Sequence, residues 1–394
     1  MTTIRAVVHA LTIAGIMTWD ILWALILGFT LSAIIQAVVR KKTIARLLGR
    51  DNPRTIVTAA GLGIASSSCS YAAVAISRSL FRQGATFLNA MIYEIASTNL
   101  VVELGIIMAL LLGWQFTIAE FVGGPLMIIM LAVFYRIFLR KKLIEAAYQQ
   151  ANKGISGSME GHAAMDMTIA MKGSFMDRLC SAEGLNSVSH IFVMEVASIW
   201  KDLVGGLLIA GAVAAWVPEG WWKTVFFTNH PTWSIIWGPI IGPIIALLSF
   251  VCSIGNVPLA AVLWNSGISF GGVMSFIFAD LIIIPILLIY RKYYGFGMTL
   301  FILVSFYVAM VITGWLTELI FGVLGLVPAA HHAITFAVQH VSFNYTAVLN
   351  ILFMAIGGWL IYRFISTGAL PMLKKMDGKS ILPHNSSHWH NHRQ

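Results

Sequence analysis

Residues 63–84 read GIASSSCSYAAVAISRSLFRQG, and residues 251–267 read VCSIGNVPLAAVLWNSG. Each sits in an otherwise apolar stretch, 55–82 and 234–267. Serine, cysteine, glycine and proline in mid-run free backbone groups that lipid cannot satisfy, so such breaks survive only buried in protein or lining a wet cavity. The two segments also match one another. From Cys69 and Cys252 the same offsets carry Ser70 and Ser253, Val74 and Val257, and Leu80 and Leu263. They continue with Gly84 and Gly267, Phe87 and Phe270, and Met91 and Met274. Seven gapless identities over 23 positions exceed the roughly one or two that average residue usage supplies.

The rest of the chain tells what medium surrounds these breaks. Of 394 residues, 58% are hydrophobic and 10% charged, with a mean hydropathy of +0.84. Soluble domains carry about a quarter charged residues, so a soluble enzyme and a disordered chain are excluded. Three cysteines, Cys69, Cys180 and Cys252, are too few for a disulfide framework. The net charge of +9 does not point to nucleic acid, because the basic residues lie between apolar runs rather than on one soluble face. The N-terminal apolar stretch runs past Leu31 without a small-residue cleavage site, so no removable signal peptide is expected.

Apolar runs place membrane spans at 18–39, 85–113, 116–139, 195–217, 270–290, 298–320 and 343–364. Run 85–113 is too long for one straight crossing and should break at Ser97-Thr98-Asn99. Basic clusters at 40–54, 136–142, 291–292 and after Arg363 all fall on one side if region 55–82 is a re-entrant hairpin. That arrangement leaves only Arg5 and Lys223, of 25 lysines and arginines, on the other side. By the positive-inside rule the crowded side is cytoplasmic. The first hairpin is then entered from inside and the second from outside.

The expected fold is an all-α polytopic membrane protein with about seven full spans plus two broken, re-entrant hairpins in an inverted-topology repeat. Secondary transporters are built this way, with their sites near the midplane at the repeat interface. The first repeat takes 18–142 and the second 195–320. A cytoplasmic loop (143–194) joins them, and a final span (343–364) and a cytoplasmic His-rich tail (366–394) follow. A bacterial cytoplasmic membrane suits this layout.

Candidate chemistry lies at the breaks. Cys69 and Cys252 offer soft sulfur to a thiophilic metal or metalloid. Ser66, Ser67, Ser68, Ser70, Ser253 and Asn256 supply hydroxyl and amide groups to freed backbone or to a polar substrate. Acids inside spans are costly and functional by default, which makes Glu94, Asp280 and Glu103 proton-coupling candidates. Glu195, Lys201 and Asp202 read as an interfacial ion network. The tail gathers His384, His388, His390 and His392, a weak metal-binding tract. In the loop, His162, Met165 and Met167 form a possible soft-metal perch. There is no nucleotide-binding loop and no two-cysteine zinc spacing, and nothing requires a cofactor. An intramembrane cysteine enzyme is disfavoured, since neither thiol has a nearby histidine to activate it.

The stretches SSSCSYAAVAISRSLFRQGATF, EIASTNLVVELG and CSIGNVPLAAVLWNSG resemble the predicted-permease family that contains the bacterial organoarsenical efflux permeases. The likeness covers roughly 18–365. It implies a multi-spanning permease with duplicated cysteine motifs near the transport path, exporting trivalent organoarsenicals or, in some relatives, copper or zinc. Many relatives have a second cysteine two residues after the first; here those positions hold Tyr71 and Ile254. The expected partners are therefore a small thiophilic solute or metal and the lipid bilayer. The competing readings are a soft-metal (copper or zinc) efflux permease and a passive channel. The sequence does not give the oligomeric state.

Overall fold

The computed structural model describes residues 3–38, 47–67, 70–152, 177, 179–216, 219–228, 230–249, 253–328 and 345–371. These are helix and connection, with no strand among the described residues. Four helices are individually long and apolar enough to cross a membrane, and counting bent pairs raises this to seven. The chain is a polytopic membrane protein.

The helices of the first half are α1 (Thr3–Val38), α2 (Pro53–Ser66), α3 (Ser70–Arg82), α4 (Phe87–Asn99), α5 (Val102–Leu111), α6 (Trp114–Phe138) and α7 (Lys141–Asn152). The second half holds α8 (Ala182–Trp216), α9 (Glu219–Val225), α10 (Pro231–Ser249), α11 (Ser253–Asn265) and α12 (Phe270–Ile277). A 3-10 turn (Phe278–Leu281), α13 (Ile284–Tyr294), α14 (Phe296–Val323) and α15 (Tyr345–Ser366) complete it.

The spacing of Ser70 from Ser253 carries through both halves. Thr86 caps α4 by accepting the Asn89 N–H, and Ser269, at the same offset, caps α12 by accepting that of Gly272. Before each cap the chain turns on a glycine with positive φ, Gly84 at 107° and Gly267 at 97°. Only glycine takes that conformation at little cost. The α4–α5 pair and its counterpart through α12, the 3-10 turn and α13 each bend by 41°. The first bend falls at Leu100–Val101, just past the expected Ser97–Asn99. The second interrupts what reads as an unbroken span, 270–290. There Pro285, in the first turn of α13, has no N–H to continue a helix.

Contacts establish that the two halves are inverted. The Trp114 end of α6 lies with the second hairpin's loop, where Phe116 packs on Trp264 and Phe270 at 5.1 and 4.6 Å. Its far end lies with the first hairpin's loop: Arg136 donates to the Asp51 carbonyl (3.4 Å), and Thr86 bonds Asp51. Helix α14 runs the other way, from Gly297 beside Leu143 to Phe321, 5.2 Å from Phe270. Equivalent helices thus cross in opposite directions.

The same contacts make both hairpins re-entrant. Helix α2 starts and α3 ends at one face, where Thr86 N–H donates to the Leu48 carbonyl (3.0 Å). Helix α10 starts and α11 ends at the opposite face, with Gly267 against Thr228 and Gly238 against Ser269. Although α10 is long enough to cross, the chain returns to the side it left. The spans are then α1, α4–α5, α6, α8, α12–α13, α14 and α15.

Helices α1 and α8 pack antiparallel, Gly211 against Ala10 and Ala14 near one end and Ser32 against Glu195 near the other. In α1, Asn350 of α15 inserts into the hydrogen-bond ladder. Its Oδ1 accepts the Trp23 N–H (2.9 Å) and its Nδ2 donates to the Trp19 carbonyl (2.7 Å), the pair that would otherwise bond each other.

Two segments expected as loop are helical. Residues 182–194 are the start of α8, held to α15 where Ser189 donates to the Leu360 carbonyl (2.7 Å) and Arg363 to Asn186 (2.8 Å). Residues 141–152 form α7, which buries Ala147 and Ala151 and sets Tyr148 edge-on to Phe81. Basic residues gather at this face. Arg78 donates to the Ala151 carbonyl (2.7 Å) and lies over the Tyr293 ring, and Gln150 donates to the carbonyl of Lys292 (3.1 Å).

Candidate functional site

The tips of the two hairpins meet. Helices α3 and α11 both begin at the centre, and Ser70 Oγ lies 3.5 Å from Ser253 Oγ and 3.4 Å from the Ser253 N–H, which donates to it. Because Ser70 and Ser253 are repeat equivalents, this contact marks the pseudo-two-fold axis. Asp280, from the 3-10 turn, accepts from Ser70 Oγ (2.7 Å) and from Asn99 Nδ2 (3.3 Å). Asn99 stands at the end of α4, where the helix breaks. Two helix N-termini, a hydroxyl and an amide thus converge on one fully buried carboxyl.

Glu94, also fully buried, accepts a hydrogen bond from the Tyr290 hydroxyl, and its other oxygen has no partner among the described residues. Asn256 is fully buried on α11, one turn beyond Ser253, and neither end of its amide has a partner among the described residues. Ser66 ends α2: its Oγ accepts from Tyr93 OH (2.6 Å), and its carbonyl accepts from Ser32, which also bonds Glu195 (2.8 Å). Glu195 is therefore part of a buried link from the first hairpin to α1 and α8. Ser67 takes the left-handed conformation that closes α2, with its N–H on the Gly63 carbonyl (3.2 Å).

Glu103 stands apart from Asp280: it lies at the start of α5 with its side chain against Gly28 of α1. Cys69, Cys252 and Ser68 lie outside the described residues, as do His384, His388, His390 and His392, and His162, Met165 and Met167. The side chains of Lys201 and Asp202 do as well. Among the described residues no three His, Cys, Asp or Glu side chains gather as a metal-ligand set.

One residue here escaped the sequence reading. Glu120 of α6 is fully buried, and neither carboxyl oxygen has a partner among the described residues. The signal was present, an acid inside the apolar run 116–139, the same feature that singled out Glu94.

A family model described as "Predicted permease" matches residues 6–319. The chain belongs to the predicted-permease family. A Mycobacterium tuberculosis protein named "Putative permease Rv2963" is 62% identical over 348 residues, 88% of this chain and 86% of that one. No solved structure matches.

In this permease an aromatic cluster separates the central contact from each face. At one end Phe116, Trp264, Phe270 and Phe321 pack with centroids 4.6–5.2 Å apart. At the other, Phe87 packs on Phe81 and Tyr294 (both 5.2 Å) and on Tyr135 (6.1 Å). Phe87 and Phe270, equivalent in the repeat, lie at the heart of the two clusters. The chemistry differs: the Phe87 cluster carries tyrosine hydroxyls, whereas the Phe270 cluster has no hydroxyl.

Proposed function

We propose that this membrane permease is a secondary transporter that exports a trivalent thiophilic solute, an organoarsenical, across a bacterial cytoplasmic membrane by alternating access. One observation carries the reading: the hairpin tips meet at Ser70 and Ser253, and each serine is peptide-bonded to a cysteine, Cys69 or Cys252. Soft sulfur suits trivalent arsenic. A monosubstituted arsenical with two hydroxyls offers two exchangeable positions. Two As–S bonds form, two As–O bonds break, and two waters leave with the thiol protons. Two sulfurs hold such a solute reversibly, and the reverse exchange with water releases it. Ser67, Ser68 and Asn256 supply polar groups for the two arsenic hydroxyls before exchange and for the two waters that exchange releases.

Asp280 and Glu94 are the proton-exchanging groups of this mechanism. As a carboxylate, Asp280 takes the Ser70 hydroxyl proton in its hydrogen bond. Once protonated it donates to Ser70 instead, and the serine hydroxyl is freed to turn to Ser253. Protonation therefore alters the contact between the hairpins. The crowding of basic residues at the α3-end face supports that face being cytoplasmic.

The test is uptake of methylarsonous acid, copper, zinc and cadmium into everted vesicles, with and without an uncoupler. Methylarsonous acid should accumulate only while the proton gradient stands. Cys69→Ser and Cys252→Ser should each abolish uptake with the protein still in the membrane, while Cys180→Ser, at an exposed site, should not. Uptake by the Cys69→Ser, Cys252→Ser double variant at the parental rate would end the thiol mechanism. Uptake of copper or zinc alone would replace the cargo.

A further inference from the structure

We propose that Glu120 is the third station of a proton path, Glu120–Asp280–Glu94, that runs through the permease from the Phe270 face to the Phe87 face. The inference rests on the proton-coupled reading above and adds to it a residue and a direction. Depth orders the three groups. Glu120 is six residues into α6, about 9 Å along the helix from the Phe270 face, at ~1.5 Å per residue. Asp280 is ten residues from Phe270, roughly 15 Å in. Glu94 is seven residues from Phe87 at the opposite face, about 10 Å in from that side.

Electrostatic contact follows the same order. Glu94 and Glu120 both lie within electrostatic range of Asp280, and the depths above put Asp280 between them. The other acids on elements packed against α6 are otherwise engaged. Glu103 of α5 faces α1, and Glu318 of α14 accepts the Gly271 N–H that opens α12. Tyr307 of α14 donates to the Ile240 carbonyl (3.0 Å). Among the described residues no basic side chain bonds Glu120, and none donates to either of its oxygens. An ionised carboxylate there would lack every form of compensation, at a cost of several kcal/mol. A proton is the ligand that removes this cost using one group alone. A metal cation would need several more oxygens.

The aromatic cluster over Glu120 has no hydroxyl, so a proton reaches Glu120 when Phe116 and Phe270 part. Transfer breaks the O–H bond at Glu120 and forms one at the Asp280 carboxylate, leaving Glu120 to refill from the same face. From Asp280 the proton passes to Glu94, where the Tyr290 hydroxyl and the tyrosines around Phe87 lead to the other face. Loading at one face and release at the other are thereby joined to the parting of opposite aromatic clusters.

Infrared difference spectroscopy on the permease in lipid, stepped from mildly acidic to mildly alkaline buffer, tests this without any cargo. A protonated-carboxyl band should disappear on the step, be missing in Glu120→Gln, shift in Glu120→Asp, and persist in Glu145→Gln, a surface control. A band unchanged in both Glu120 variants, or one insensitive to the step, would overturn the proposal. A second arm follows methylarsonous acid in proteoliposomes. Glu120→Gln should keep solute exchange at equilibrium and lose gradient-driven movement, and retention of gradient-driven movement would overturn the path. If the parent protein moves no methylarsonous acid, the cargo reading fails while the infrared result still judges Glu120.

Discussion

The two re-entrant hairpins share turn and cap, yet they are secured differently. At the first, Ser66 is bonded by Tyr93 and Ser32, Asn89 donates to the Leu48 and Arg50 carbonyls (2.9 and 2.7 Å), and Arg78 holds the end of α7. The equivalent positions of the second are Ser249, Phe276, Gly272 and Ala261. Ser249 bonds its own helix, at the Ala246 carbonyl. The second hairpin's outer arm is tied instead to α14, where Tyr307 and Trp315 donate to the Ile240 and Ile236 carbonyls (both 3.0 Å), and α10 meets α12 through glycine. A Cβ on Gly242 would lie 2.5 Å from the Gly272 carbonyl oxygen, and one on Gly238 would lie 2.1 Å from Ser269 Oγ. The first hairpin has the same close approach, 2.5 Å from a Cβ on Gly63 to the Tyr93 carbonyl oxygen. The repeat copied the backbone and left the polar groups to differ, so the first hairpin is held at its tip and at α7, and the second along its outer arm to α14.

Four substitutions, read by thermal unfolding in detergent, would sharpen or break that contrast. Gly242→Val should do the most damage, about 3 kcal/mol, because the obstructing atom is backbone and overpacking of this kind costs roughly 1–3 kcal/mol. A midpoint unchanged from the parent would mean the interface is not tight. Tyr93→Phe should cost ~1 kcal/mol, the size of a buried interhelical hydrogen bond. An equal loss from Phe276→Leu by the same assay would erase the claim that the hydroxyl matters. Asn256→Leu should leave stability unchanged or raise it by up to ~1 kcal/mol, since two unpaired polar groups vanish, while transport is lost. A marked fall in stability would make Asn256 structural. Ser249→Ala should fall within about 0.5 kcal/mol, as for sites without long-range partners. A larger loss would reveal an anchor at the second tip.

Sidedness is a separate matter. Single cysteines replacing Gln149, on α7, and Thr232, at the start of α10, occupy exposed sites at opposite faces. In sealed spheroplasts an impermeant maleimide should label Thr232→Cys and spare Gln149→Cys. The reverse pattern would turn the permease over in the membrane.

How legible each feature was follows from its range. The two hairpin segments announce themselves because serine, glycine and proline interrupt apolar runs, as in GIASSSCS and CSIGNVP. The bend after Asp280 hides because FADLIIIP keeps the run apolar, and only Pro285 hints at it. The helical start of α8 reads as loop because its polar residues are spent on α15, including Arg363 and Thr367. Glu120 was visible as an intramembrane acid, but nothing near it in the chain says that it lacks a partner.

The sequence by itself determined the medium, the repeat and the order of crossings and returns. Hydropathy and charge act over a helix length, and a bilayer reads them along the chain. Tertiary structure alone decided that Ser70 meets Ser253 and Asp280, 183 and 210 residues away, that Glu94 has a tyrosine, and that Glu120 has no partner among the described residues. In a low-dielectric interior the state of a polar group depends on the few atoms touching it, and folding chooses those atoms from distant parts of the chain.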